Sequence, residues 1–388
     1  MKYNIVKYSP DFKDQILELQ TYYWSPDVTL NAAHLEWKYY QNPYVDDPLI
    51  YIALCDGEVV GMRGLFGAKW QVGHSGQTFI GTQPGDLVIA PKHRNHGLMT
   101  KIMRFALNDL ADKGCKYVLH LNAGPVKLLS SIAMGWRCAG LWKTMHWKAN
   151  KKSISVFDRV RKYKNKMPFL SVTSNLVRRY SDWLTFLHSA NKRADPFSYL
   201  DRNYSLCRSE DSPHISLEQN PRPEAMAELV ERIGSDGCIR HVKDKQYFSW
   251  RFQNPLSLYR FLFWEDTRLE GYLVLRTSLY ENIGLVGTVD WEATSLQILS
   301  ALLEAAIRWG SFTDLRIWLT TLSDEMESLL RNTGFYFRNK KASIRNYPHA
   351  FMVRSVKDEF QTDNWILDNR RLLDLANWDL RMIYSDDF

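Results

Sequence analysis

A pattern that occurs twice limits this chain more than any single motif does. Residues 34–63 read HLEWKYYQNPYVDDPLIYIALCDGEVVGMR, and residues 247–276 read YFSWRFQNPLSLYRFLFWEDTRLEGYLVLR. Trp37-Lys38-Tyr39 answers Trp250-Arg251-Phe252, and Asn42-Pro43 answers Asn254-Pro255. Each copy continues with a strand-like run, an Asp-x-x-x-x-Gly turn (Asp56 to Gly61; Asp266 to Gly271) and a second strand-like run. The match resumes at Tyr117–Leu121 and Leu315–Leu319, each followed by a helix ending in Gly-aromatic, Gly135-Trp136 or Gly334-Phe335. A supersecondary unit that recurs in this way means one scaffold built twice. The offset between copies is 213 at the tryptophans, 210 at the turn glycines and 199 at the Gly-aromatic pairs. The second copy is therefore shorter between its third and fifth strands.

Apolar patterning and turn residues predict strands in the first copy near Tyr3–Lys7, Tyr51–Leu54, Val59–Phe66, Thr78–Ile89, Tyr117–Leu121 and Leu141–Trp147. Helices are expected at Phe12–Thr21, Leu98–Lys113 and Val126–Met134, and in the second copy at Leu296–Trp309 after a strand at Leu285–Val289. Strands alternating with helices, plus an antiparallel meander, predict an α/β class with mixed sheets. The expected division is a first copy at 1–148, a basic helical connector at 149–213, a second copy at 214–354 and a C-terminal tail at 355–388. Helical stretches are expected in the connector near Val156–Asn165 and Val172–Ser189. The acidic end, Asp386-Asp387-Phe388, reads as a frayed terminus.

Composition narrows the function class. Hydrophobic residues make up 45% and aromatic residues 13%, which excludes a disordered chain. The first residues, MKYNIVKYSPDFKDQ, place no apolar run behind their lysine, against a secretory signal. No window approaches the roughly 18 apolar residues of a membrane span. The five cysteines (Cys55, Cys115, Cys138, Cys207, Cys238) are odd in number, scattered and without CxxC spacing, so neither a disulfide framework nor a metal site is expected. That usage fits a reducing, cytoplasmic setting. The net charge of +7 is local: residues 141–208 hold fifteen Lys and Arg against four Asp. No nucleic-acid motif accompanies this excess, so it reads as a solvated connector rather than a nucleic-acid surface.

The chemistry-bearing run is LVIAPKHRNHGLMTKIM, residues 87–103. Leu87 to Ile89 is an apolar strand end, and Pro91 stops the ladder because it has no N–H. Arg94 to Gly97 is a polar turn, and Gly97 allows close approach of a ligand to the backbone. Leu98, Ile102, Phe105, Ala106 and Leu110 then fall on one face of a helix. Strand, glycine turn and helix together aim free N–H groups and a helix N-terminus at one point, which suits a phosphate. His93, Arg94 and Lys101 add positive charge beside it.

Leu87-x-Ile89-x-Pro91-x-x-Arg94-x-x-Gly97 resembles the acetyl-CoA motif of the GNAT N-acetyltransferase superfamily, L-x-V-x-P-x-x-[QR]-x-x-G-x-[GA]. Met99 departs from it, standing where a small residue is usual. The likeness extends from Tyr3 to Lys148, including the strand, Asn122, helix and Gly135-Trp136 ending. It implies that the backbone of Val88 and Ile89 binds the pantetheine arm of acetyl-CoA. It also implies that amides of Arg94, Asn95, His96, Gly97, Leu98, Met99 and Thr100 cradle the pyrophosphate, and that Asn122 sits beside the thioester. Many members carry a Tyr that protonates the leaving thiolate; Ser131 stands at that place here. Asp86 and His120 are the candidate general bases.

The second copy has Trp291-Glu292-Ala293-Thr294 where the turn belongs, without Arg-x-x-Gly, and Glu292 brings negative charge to that region. It is expected to be a degenerate copy that packs on the first and shapes the acceptor cleft. The paired WKYYQNP and WRFQNP segments, at equivalent places, are expected to be structural. The resemblance implies direct acyl transfer from acetyl-CoA to an amine, with an amino sugar or glycan precursor as acceptor. Aminoacyl transfer of the peptidoglycan-bridge type and a non-catalytic module with a vestigial pocket are the alternatives.

Overall fold

The computed structural model describes residues 1–148, 197–207, 213–279, 285–310, 312–320, 323–337, 349–356 and 365–385. The expected connector helices and the acidic terminus lie outside them. The first half contributes β1 (Asn4–Lys7), β2 (Leu49–Cys55), β3 (Glu58–Val72), β4 (Gln77–Ile89), β5 (Tyr117–Ala123), β6 (Arg137–Leu141) and β7 (Lys143–Lys148). The second contributes β8 (Ile215–Glu218), β9 (Ile239–His241), β10 (Ser257–Glu265), β11 (Leu269–Ser278), β12 (Leu285–Ala293), β13 (Asp314–Leu319), β14 (Tyr336–Phe337) and β15 (Ala350–Ser355). Helices are α1 (Lys13–Gln20), α2 (Val28–Leu35), α3 (Leu98–Asp112), α4 (Pro125–Ile132), α5 (Ser198–Cys207), α6 (Pro223–Ile233), α7 (Lys245–Arg251), α8 (Leu296–Trp309) and α9 (Asp324–Asn332).

The repeat is built as two mixed sheets in tandem. One runs β1-β2-β3-β4-β5-β15-β6, with β9 added along β3; the other runs β8-β10-β11-β12-β13-β7-β14. In both, the fourth and fifth positions are parallel and the rest antiparallel. The sixth position is exchanged. β15, from the second half, lies between β5 and β6 of the first, and β7, from the first half, lies between β13 and β14 of the second. The strand read as one run at Leu141–Trp147 is thus two: β6 stays and β7 crosses over. The divisions at 148 and 354 remain proposals about the repeat in sequence. In space each half completes the other's sheet.

The largest core lies between the sheets. Trp70, Leu119 and Phe351 on one side meet Phe261, Tyr272 and Val289 on the other. The C-terminal segment is threaded into this layer rather than left on the surface. Trp378, Leu380, Met382, Ile383 and Tyr384 are buried, and the Arg251 guanidinium donates to the carbonyls of Ile383 and Ser385, both at 2.8 Å. A second core packs α3 against β2 and β5, with Leu98, Ile102, Ala106 and Leu110 inward, as their spacing requires. α2 is capped by Asp27, which accepts from the N–H of Thr29 and Leu30. It continues as a π-turn over Glu36–Tyr40. Asn42 and Asn254 make the same local turn, accepting from Tyr44 N–H at 2.9 Å and Leu256 N–H at 3.0 Å.

Candidate functional site: a strand splay beside an open helix start

β4 and β5 pair only at Gly81–Tyr117 and Thr82–Val118. Beyond that they part, and the cause is local. Against β3, the register of β4 jumps from Gly85 opposite Gly64 to Val88 opposite Met62. Asp86 and Leu87 therefore share Arg63 as a bulge, with Asp86 at φ +45°. The bulge turns β4 away from β5 and opens a V. Ala90 N–H donates to Val60 O at 2.9 Å, so by strand alternation the N–H of Ile89 points away from β3, into the V, while Val88 faces its neighbour strand.

The chain leaves β4 through a single turn at Pro91–His93, and Asn95 (φ +65°) and Gly97 (φ +70°) are both left-handed. Arg94 curls back, its Nε donating to Ile89 O at 3.1 Å, which closes the loop on the strand end. Arg94, Asn95, His96 and Gly97 are exposed. Gly97 is the N-cap of α3 and supplies no side-chain cap. A Cβ placed on it would meet nothing within 4 Å. The first-turn amides of Leu98, Met99 and Thr100 thus open onto vacant space at the positive end of the helix. Tyr3 braces the turn from β1's side: its hydroxyl hydrogen-bonds His93 Nδ1 at 3.2 Å, and Lys101 Nζ lies 5.5 Å from its ring.

The second half answers this geometry differently. There α8 begins at Ser295, whose hydroxyl accepts from Ile298 N–H at 3.3 Å, so that helix start is filled by its own side chain. Glu292 does not project at the turn. It sits in β12, buried, with Lys243 Nζ at 3.0 Å and Arg381 at 3.9 Å. Lys243 also bonds Asp290 at 2.5 Å, and burial raises the Asp290 carboxyl above its ordinary range despite that partner.

The V holds a narrow crevice that brings together residues distant in sequence: Arg63, Leu87, Met99, His120, Ser131 and Trp136. His120 is buried, its ring 6.0 Å from Trp136 in an edge contact. Ser131 is buried at the same crevice. Asn122, two residues past His120, is met by His349, whose Nδ1 bonds Asn122 Oδ1. Asp86 lies elsewhere. It is 1% exposed, and its carboxylate accepts from Trp24 Nε1 at 2.8 Å, Lys38 Nζ at 2.7 Å and Tyr39 OH at 2.6 Å. A carboxylate closed in by three donors, one of them a buried ammonium, braces the bulge and has no open path to a substrate proton.

Sequence reading did not single out Arg63, His349 or the Lys38–Asp86 pair. Lys38 stood in view inside the repeated WKYYQNP segment. His349 carried no signal, since strand exchange alone brings it 227 positions back to Asn122.

Residues 4–121 match the family model described as an acetyltransferase (GNAT) domain, and this segment is a GNAT domain. The whole chain is a tandem of that fold. It superposes on a GCN5-related N-acetyltransferase from Anabaena variabilis with a TM-score of 0.55 at 11% identity, covering 92% of this chain and 73% of that one. A probable N-acyltransferase from Enterococcus faecalis gives 0.54 at 12%, with the same coverages. A GCN5-related N-acetyltransferase from Kribbella flavida gives 0.53 at 13%, covering 92% and 72%. At such identities the likeness is one of fold, and acyl transfer in general is the activity that the GNAT domain supports. No curated protein sequence matches the chain. Among the described residues no helix is long and apolar enough to cross a membrane, and no group of three His, Cys, Asp or Glu is placed to hold a metal ion.

Proposed function

We propose that the chain is an N-acetyltransferase that uses acetyl-CoA as donor and holds it in the first half alone. The carrying observation is the contrast between the two helix starts: α3 opens behind Gly97 with no cap, whereas α8 is filled by Ser295. The outward-facing backbone of Ile89 at the end of β4 takes the pantetheine arm, whereas that of Val88 is paired with Met62 on β3. The amides from Arg94 through Asn95, His96, Gly97, Leu98 and Met99 to Thr100 take the pyrophosphate. The acyl group reaches the crevice of His120 and Ser131, and bound acetyl-CoA supplies the activated acyl carbon there.

Within this reading His120 accepts the proton of the attacking amine, because Asp86 is fully engaged. Ser131 contributes shape rather than a strong acid, so solvent returns the proton to sulfur. The acceptor is an amine, and amino sugars or glycan precursors are the first class to test. A cytoplasmic site of action matches the donor. The open phosphate turn favours coenzyme A over the aminoacyl donor of the alternative reading.

Calorimetric titration of acetyl-CoA into the chain and into Gly97→Glu is the test. Submillimolar binding to the first and none to the second is expected, since the added carboxylate enters the open space at the helix start. No binding to the unaltered chain overturns the reading. Coenzyme A release over a panel of amines then separates an enzyme from a binding module.

A further inference from the structure

The exchanged strand brings a second-half residue to the first-half site. His349 immediately precedes β15, where Ala350 lies opposite Ala123 and Met352 opposite His120. Its carbonyl accepts from Trp142 N–H at 2.9 Å, and the Trp142 indole donates to Leu121 O, so the backbone on both sides of the contact is pinned. An amide oxygen only accepts hydrogen bonds, so His349 Nδ1 is the donor to Asn122 Oδ1. That bond fixes the orientation of the Asn122 amide. With Oδ1 turned to His349, the Nδ2 group and its two N–H donors face the other way. Asn122 is 9% exposed and belongs to the part of β5 that has left β4.

We propose that His349 is a positioning residue for acyl transfer, holding Asn122 so that its Nδ2 donates to the acyl carbonyl oxygen as charge develops there. This rests on the N-acetyltransferase reading above. In the step, the amine nitrogen bonds to the carbonyl carbon, and the carbon–sulfur bond breaks with its electron pair leaving on sulfur. The amine proton passes to His120 and then, through solvent, to the thiolate. Asn122 makes and breaks no covalent bond. A donor aimed at the forming oxyanion acts on the transition state more than on the bound donor, so it shows in kcat and not in KM. The second half, whose own helix start is filled, thereby takes part in the first half's chemistry.

The test is a cycle on the full chain: Asn122→Leu, His349→Leu, the double variant and His349→Gln. Each is followed by steady-state acetyl transfer, acetyl-CoA affinity and thermal unfolding. Asn122→Leu is expected to lower kcat about 100-fold, the scale of losing one oxyanion donor, and His349→Leu about 10-fold. KM and affinity for acetyl-CoA stay within about twofold, the double variant is no slower than Asn122→Leu, and His349→Gln, which keeps a donor, recovers most of the loss. Losses that multiply in the double variant, or an unchanged kcat in His349→Leu, overturn the proposal. If His349→Leu does not fold, His349→Gln against His349→Glu decides, because an ionised Glu cannot donate: equal kcat overturns it. If the unaltered chain binds acetyl-CoA but acetylates no amine, the N-acetyltransferase reading fails first, and this one with it.

Discussion

Trp37 and Trp250 donate to each other's backbone: Trp37 Nε1 to Trp250 O at 2.9 Å, and Trp250 Nε1 to Trp37 O at 2.8 Å. Their rings lie 5.6 Å apart at an interplanar angle of 18°. These are the residues that open the repeated motif, so the two copies meet through the same patch on both sides, as subunits do across a two-fold axis. The Arg251 guanidinium lies 5.2 Å from the Trp37 ring and ties this contact to the C-terminal segment. The motif is thus the joint of the tandem.

Trp37→Phe keeps a ring but removes one N–H across the joint, while the Trp250 carbonyl keeps the Gln253 N–H at 3.1 Å. A loss of about 0.5–1.5 kcal/mol, the net value of one hydrogen bond, is expected in urea unfolding. Trp37→Ala also removes the stacked ring and is expected to cost about 3–5 kcal/mol. Equal stability of Trp37→Phe and the unaltered chain would contradict the joint.

Asp86→Asn leaves Lys38 charged and buried without its counterion, which is expected to cost about 3–5 kcal/mol. Adding Lys38→Met to it should recover much of that loss. Thermal unfolding of both variants checks this. A fully stable Asp86→Asn with a large fall in kcat would instead return Asp86 to the role of general base.

His241 is stacked on Tyr384 at 3.8 Å, its Nε2 3.3 Å from Gln83 Nε2. Burial, with the nearby Arg251 and Lys243 charges, holds the imidazole well below its ordinary value. In the folded chain it stays neutral, while the unfolded chain takes up a proton below about pH 6.5. Stability is therefore lost as pH falls from about 6.5 towards 5, by up to about 1.4 kcal/mol per pH unit. Urea midpoints across this window should show the slope, and His241→Gln should flatten it.

Residues 1–148 expressed alone lack β15, so β5 and β6 lose the strand between them and β7 loses its sheet. Exposed strand edges of this kind associate. The fragment is expected to aggregate or to show no cooperative unfolding in circular dichroism. A monomeric, cooperatively folded fragment that binds acetyl-CoA would show that the exchange is dispensable.

Much of the scaffold follows from local pattern. The helix read at Leu296–Trp309 has those bounds, and the strand read at Thr78–Ile89 starts one residue earlier. The turn at Arg94–Gly97 was legible because its elements are contiguous: a strand end, a proline and a glycine that must adopt positive φ. Asp86 was legible as a polar residue near the end of the β4 strand but not as part of a bulge. Its φ of +45° and its three donors come from Trp24, Lys38 and Tyr39, on another part of the chain.

The residues alone therefore determine a scaffold used twice and a left-handed glycine turn before a helix in one copy, because periodicity, turn chemistry and glycine placement act over a few neighbours. Strand exchange, the closing of Asp86 and the meeting of His349 with Asn122 were decided only by tertiary structure. β7 and β15 each pair with strands of the opposite half, across separations in sequence that local pattern does not encode.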